Sequence, residues 1–181
     1  SVNVGGTVNL LEALRDRDRV PFVFASSSSV YGSRTDGPFV ETDPTDWPAS
    51  PYAGTKRAAE LMCLAAHQSW GQQVTALRFF TVYGPRQRPG MAIEKFVRLA
   101  LTGQSIPMFG DDASARDYTF VDDAVRSVLA ALAHPQDFEV INVGGGNPVR
   151  LDALIAAVGR VVGVDVSLAP MPDQPGDVPL T

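Results

Sequence analysis

The stretch SPYAGTKRAAE, Ser50–Glu60, sets a tyrosine four residues ahead of a lysine at the start of a helix. Ser50 has an N-cap side chain, and Pro51 suits the first helical position, where a backbone N–H has no partner to lose. The pattern continues to Trp70 and Gly71 supplies a stop, which predicts a helix over about 51–70. Tyr52 and Lys56 then fall one turn apart on one face. On their own they are either a solvated surface couple or a proton-transfer device. In the second reading the ammonium favours the phenolate and lowers the tyrosine pKa from about 10 toward the working pH, as a general base requires.

Outward from this helix the chain alternates. TVNLLEALRD has helical spacing, and after Pro21 the run FVFASSSSVYG reads as a buried strand with a serine-rich exit. Arg34 to Trp47 is a polar connection without pattern. QVTALRFFTVYGP reads as one buried strand with a Gly-Pro exit, and MAIEKFVRLALTG as a helix closed by Gly103. SIPMFG and RDYTFV are short extended pieces around the polar loop DDASA. VDDAVRSVLAALAHP is a helix with carboxylates in its first turn, where the dipole prefers them. FEVINVGGG is a third buried strand, RLDALIAAVGRVVG a helix, and VDVSLAP a last strand before a Pro-rich tail. Strand alternating with helix predicts an α/β fold with a mostly parallel sheet.

The 181 residues allow one domain or two small ones, with a formal net charge of -5 and no basic run. Nucleic acid and anionic membrane are therefore poor partners. The single cysteine, Cys63, excludes a disulfide framework and lacks metal-ligand spacing, so no metal is expected and a reducing, cytoplasmic location is. No apolar run is long enough to span a bilayer.

In a doubly wound sheet, ligands sit beyond the carboxyl ends of the strands. SSSSVYG, TVYGPRQRPG and GGGNP leave their strands at that end and are expected to converge on one crevice, although SSSS alone reads equally as a polar loop and GGGNP as a turn. A serine from the first of these tips could share the tyrosine proton. The glycine-rich dinucleotide fingerprint G-x-x-G-x-x-G does not occur in the sequence.

Seven blocks in register carry a resemblance: NVGGTVNLLEA, FASSSSVYG, SPYAGTKRAAE, LRFFTVYGPRQRPGMA, IPMFGDDASARDYTFVDDAV, INVGGGNPVRL and QPGDVP. Together they resemble the NAD-dependent epimerase/dehydratase family, the extended short-chain dehydrogenases/reductases acting on nucleotide sugars. The resemblance implies a Rossmann-like sheet, second half only, with residues 1–90 carrying the catalytic motif. Residues 91–181 would form a small α/β substrate lobe, with a strand returning to the Rossmann sheet near 138–144. It implies Tyr52 as acid/base, Lys56 as holder of the nicotinamide ribose, and Ser27 as the Ser/Thr partner. Asn3, Ala25, Ser26 and Phe79, with Tyr52 and Lys56, would line an NAD site. It also implies that roughly 100 residues carrying the pyrophosphate cradle are missing. The present chain would then hold NAD weakly and lack activity.

Within the family, dehydratases resembling this chain place Asp-Glu where Ser28 and Ser29 stand, and UDP-glucuronate decarboxylases a glutamate at Ser29, so elimination is not expected. RFFTVYGPRQRP is similar to the UDP-glucuronate 4-epimerases, which implies that Thr81 and Arg88, with Ser28 and Ser29, address a sugar carboxylate. Arg116 would meet the UDP diphosphate and Phe109 would stack on uracil. The expected activity is interconversion of UDP-glucuronate and UDP-galacturonate through a 4-keto intermediate. The alternatives are another NAD-dependent nucleotide-sugar epimerase or reductase, and a fragment with only a binding or dimerising role. The resemblance implies a homodimer through the first helix and the Tyr52 helix.

Overall fold

The computed structural model describes residues 2–17, 20–109, 114–172 and 180–181. The first three residues of the DDASA loop and the QPGDVP block lie outside them. Helix α1 (Val2–Leu14) leads into β1 (Phe22–Ser27) and a 3-10 turn (Ser28–Tyr31), and after the polar connection comes α2 (Pro51–Trp70). Ser50 Oγ accepts the Ala53 N–H at 3.2 Å, so the N-cap forms as expected. Gly71 ends α2 with φ +74°, a left-handed conformation that glycine adopts without a Cβ penalty.

The expected single strand QVTALRFFTVYGP is two. β2 (Val74–Phe79) and β3 (Thr81–Tyr83) belong to different sheets. The break falls at Phe80, whose N–H is taken by the Val143 carbonyl at 3.0 Å, while Thr81 begins a parallel pairing with Tyr118. The chain continues through α3 (Ala92–Leu101), β4 (Ile106–Phe109), β5 (Ala115–Phe120), α4 (Val121–Ala133), β6 (Phe138–Val143), β7 (Pro148–Arg150), α5 (Leu151–Val162) and β8 (Leu168–Met171). The short β7 was not expected; it is an antiparallel partner of β5.

β1, β2 and β6 make a parallel three-stranded sheet in that order, with Ser27, Phe79 and Val143 in register at the carboxyl end. Its strands are covered on both faces, and their residues alternate between two cores. Phe22, Phe24, Val74, Ala76, Phe138 and Val140 pack with Leu11 of α1 and Ala59, Cys63 and Ala66 of α2. Val23, Leu77, Phe79, Ile141 and Val143 pack with Val128 and Ala131 of α4. β6, expected to be buried, has only Val143 fully so, because β2 covers one of its edges alone. A third core joins α3 to α5 through Phe96, Leu99, Ile106, Leu154, Ile155 and Val158. No helix among the described residues is long and apolar enough to cross a membrane.

Candidate active site

The carboxyl end of β1 passes directly into the 3-10 turn, and the serines lie at that junction. Ser27 caps the turn with extended backbone, φ -152° and ψ 144°. Its Oγ accepts the Ser29 N–H at 3.2 Å and the Ser29 hydroxyl at 2.9 Å. A hydroxyl has two lone pairs and one proton. With both lone pairs engaged by Ser29, Ser27 can enter the site only as a donor.

α2 presents Tyr52 half-exposed and Lys56 half-buried toward β1. Lys56 Nζ donates to the Ala25 carbonyl at 2.8 Å and lies 5.8 Å from the centroid of the Tyr52 ring and 5.3 Å from that of Phe24. Burial pushes the ammonium pKa down. An ammonium has three donors, so two remain after Ala25. α1 is tied to the same end of α2: Asn3 Nδ2 donates to Thr55 Oγ1 at 3.0 Å, and Thr55 Oγ1 donates to the Tyr52 carbonyl at 2.9 Å.

These contacts join Asn3, Tyr52 and Lys56 to Ala25 of β1, while Ser27, two residues further along the strand, is joined to Ser29 and lies beside Phe79 in the sheet. Ser28 opens the 3-10 turn, between Ser27 and Ser29 in sequence, and Ser26 is buried with its side chain turned to α2. Phe109 and Arg116 line one cavity of about 210 Å³ with Tyr118 and Leu151, its lining drawn from residues between Ala92 and Leu151. Thr81 starts the second sheet. Arg88 is not drawn to the serines; it is exposed, and its guanidinium contacts Met91 Sδ at 3.7 Å.

Beneath the site lies a buried polar network that the sequence reading missed. Arg78 on β2 donates twice to Glu60 on α2, Nε to Oε1 and Nη2 to Oε2, each at 3.0 Å. Glu60 also accepts from Ser26 Oγ at 2.5 Å and from Arg57 Nη1 at 3.1 Å. Arg78 Nη1 reaches Tyr31 Oη at 2.9 Å, and Tyr31 donates to Asn142 Oδ1 on β6 at 2.6 Å. Burial alone would raise the Glu60 pKa, but the hydrogen bonds from Arg78, Ser26 and Arg57 and the Arg78 charge together outweigh it and hold the carboxyl below its ordinary value. The available signal was a lone arginine inside the apolar run VTALRFF, since a buried charge requires a partner. Asp117 was also missed. Its carboxylate accepts the Gly145 and Gly146 N–H groups at 2.6 and 2.7 Å and so fixes the glycine turn after β6. A Cβ on Gly145 would lie 2.8 Å from the Tyr118 carbonyl oxygen, which explains the glycine there.

The profile of the NAD dependent epimerase/dehydratase family matches residues 1–144. The chain belongs to that family. A UDP-glucuronate 4-epimerase of Thermodesulfobacterium geofontis is 41% identical over 162 residues, which are 89% of this chain and 50% of the relative. The crystal structure of the UDP-glucuronic acid 4-epimerase from Bacillus cereus, in complex with UDP-glucuronic acid and NAD, superposes with a TM-score of 0.93 at 34% identity. That match covers 99% of this chain and 57% of the other. A UDP-N-acetylglucosamine 4-epimerase from Methanobrevibacter ruminantium, in complex with UDP-N-acetylmuramic acid, superposes with a TM-score of 0.94 at 30% identity, covering 99% and 58%. The chain spans about half the length of the curated relatives it matches. In this family setting the parallel sheet β1-β2-β6 is Rossmann-like, and the Tyr52–Lys56 pair stands at the carboxyl end of its β1 strand.

Proposed function

We propose that this chain carries the acid–base and sugar-binding residues of a UDP-glucuronate 4-epimerase. What supports the reading is that Lys56, beside Tyr52, reaches the Ala25 carbonyl two residues before Ser27 on β1, with serines and no carboxylate beside Ser27 in the 3-10 turn. The similar UDP-glucuronate 4-epimerases support the choice of substrate. The two free donors of Lys56 suit the hydroxyls of a ribose, and Asn3, Ala25, Ser26, Phe79 and Tyr52 complete the nicotinamide end of the cofactor site. Bound NAD would supply a hydride acceptor and donor for carbon 4 of the sugar.

Tyr52 Oη takes the proton of the sugar 4-hydroxyl and returns it after the sugar has turned. Ser27, restricted to donating, hydrogen-bonds the same oxygen. Lys56 stabilises the phenolate by its charge. Thr81, Ser28 and Arg88 take the carboxylate, Arg88 on leaving Met91; Ser29 joins them only by turning its hydroxyl from Ser27, which then regains a lone pair. The 4-keto sugar is a β-keto acid and loses carbon dioxide when its carboxylate bond aligns with the carbonyl π system; a held carboxylate opposes that alignment. Arg116 and Phe109 take the diphosphate and uracil.

We read residues 1–90 as the Rossmann portion and 91–181 as the substrate lobe, with β6, and α4 that packs on the same sheet, returning to the first. The exposed Leu10, Leu61 and Met62 on α1 and α2 support a homodimer through those helices, and the free, buried Cys63 suits the cytoplasm. A second reading, a 4-epimerase of a neutral UDP sugar, is favoured by the exposed position of Arg88 on Met91. The protein as its gene encodes it should be incubated with NAD and with UDP-glucuronate or UDP-glucose, and the products separated by chromatography. Formation of UDP-galacturonate supports the first reading; turnover of UDP-glucose alone selects the second.

A further inference from the structure

Lys56 and Glu60 are four residues apart on α2, and both point at β1. Lys56 reaches the Ala25 carbonyl and Glu60 the hydroxyl of the next residue, Ser26. Opposite charges at this spacing attract, even in the less favourable order with lysine first. An ion pair between them would turn the lysine charge away from Tyr52. No such pair forms, because the four acceptor positions of the carboxylate are already filled. Ser26 Oγ and Arg78 Nε occupy Oε1, and Arg57 Nη1 and Arg78 Nη2 occupy Oε2. Arg78 cannot swing off, since Tyr31 and the Glu41 carbonyl hold its remaining nitrogen at 2.9 and 3.2 Å.

We infer that Arg78 is a positioning residue: by engaging both oxygens of Glu60 it prevents the Lys56–Glu60 ion pair and leaves the lysine charge to Tyr52. This rests on the reading of Lys56 as the partner of Tyr52, but it concerns the lysine proton and not turnover. The other groups around Lys56 leave Glu60 as its only candidate counter-ion among the described residues. β1 contributes the Ala25 carbonyl, Ser26 and Ser27, and α1 contributes Asn3 at this end. Glu12 of α1 pairs with Arg15 just beyond the helix, and Arg15 lies over Trp70 at the far end of α2. The 3-10 turn offers Tyr31, whose pKa burial raises; α2 itself adds Arg57 and the neutral thiol of Cys63, and β2 adds Arg78.

The chain has two lysines, Lys56 and Lys95, so its lysine signals can be followed one by one. The test uses protein labelled with carbon-13 at lysine Cε, with Lys95→Arg for assignment, titrated by NMR over the pH range in which it stays folded. In Arg78→Met, Lys56 should bind its proton roughly tenfold more tightly, as a cation does beside a newly freed carboxylate. Adding Glu60→Gln should return the titration to that of the unaltered chain. A purely structural role for Arg78 predicts no such restoration. If Arg78→Met does not fold, Arg78→Gln, which keeps one donor toward Glu60, serves with the same second substitution. An unchanged Lys56 titration in the folded variant overturns the inference, and so does a rise that survives Glu60→Gln. Failure of the epimerase assay alone would leave this result untouched.

Discussion

Lys56 Nζ lies 2.8 Å from the Ala25 carbonyl oxygen and 5.8 Å from the centre of the Tyr52 ring, so β1 holds the lysine in place beside the tyrosine. The hydrogen bond to backbone cannot be lost by a side-chain change on β1, which makes the lysine position insensitive to sequence there. Tyr52→Phe removes only a half-exposed hydroxyl. In the protein as expressed from its gene it should lower epimerase turnover by about 10²–10⁴-fold, the usual worth of a positioned acid–base group. UDP binding, followed by calorimetry, should stay near normal. Turnover within a few-fold of the unaltered protein would mean that another group takes the proton.

Ser29 donates both its N–H and its hydroxyl to Ser27 Oγ. Ser29→Ala leaves the N–H and removes the hydroxyl bond, so Ser27 regains a lone pair and a second orientation. The cost of one such bond is about 0.5–1.5 kcal/mol. If Ser29 acts through Ser27, this falls on kcat more than on KM. If Ser29 instead binds the sugar carboxylate, the effect appears with UDP-glucuronate and not with a neutral UDP sugar. Comparing kcat and KM on both substrates separates the two.

Where local chemistry is sufficient, the sequence is easy to read. Ser50, Pro51 and Gly71 mark both ends of α2, and the structure starts and stops the helix at those residues. The division at Phe80 was not legible. The apolar run passes through it without interruption, and the break comes from Val143 and Tyr118, which lie far along the chain. Arg78 shows a related limit. A charge inside an apolar strand announces that it needs partners, but Glu60 and Tyr31 are 18 and 47 residues away and only the fold names them. For the same reason the serines and the Tyr52–Lys56 motif were found from their neighbours in sequence. The expected approach of Arg88 to those serines depends on a loop path that no local pattern encodes, and the structure leaves Arg88 on Met91.

Glu60 is 1% exposed and its carboxylate depends on Arg78, Arg57 and Ser26. Glu60→Ala leaves the Arg78 guanidinium buried without its counter-charge, and loss of one partner of a buried pair costs about 3–5 kcal/mol. Denaturant midpoints of the chain and the variant measure this directly. The pH dependence has a definite sign. The folded Glu60 carboxyl is held below its ordinary value of 4.5, so its contribution is present above that value and lost as pH falls below it toward the folded value. Glu60→Gln removes this proton uptake, and its stability should fall less steeply with acid over that range. Parallel acid curves for the two proteins would contradict the assignment.

Arg88→Ala tests whether the loop arginine reaches the substrate. If it engages the sugar carboxylate when the substrate binds, its loss should weaken kcat/KM for UDP-glucuronate by about 1.5–3 kcal/mol, the range of hydrogen bonds to charged groups. The value for a neutral UDP sugar should hardly change. An unaltered ratio between the two substrates would leave Arg88 a surface residue, as its contact with Met91 already has it.

Cys63 is fully buried between Leu11 of α1, Phe24 of β1 and Ala76 of β2. Burial, with a further push from Glu60, raises its thiol pKa to about 12. The thiolate is the reactive form, so the native thiol is protected twice, by exclusion and by protonation. At pH 8 an aromatic disulfide reagent should therefore leave Cys63 unmodified in the folded chain and label it promptly in concentrated denaturant. Because its neighbours come from both α1 and the sheet, labelling at intermediate denaturant reports how often α2 lifts from β1 and β2. Glu60→Ala weakens the same attachment, so it should speed labelling under conditions where the unaltered chain still resists. Immediate stoichiometric labelling of the unaltered chain in native buffer would mean that α2 is not seated on the sheet as described.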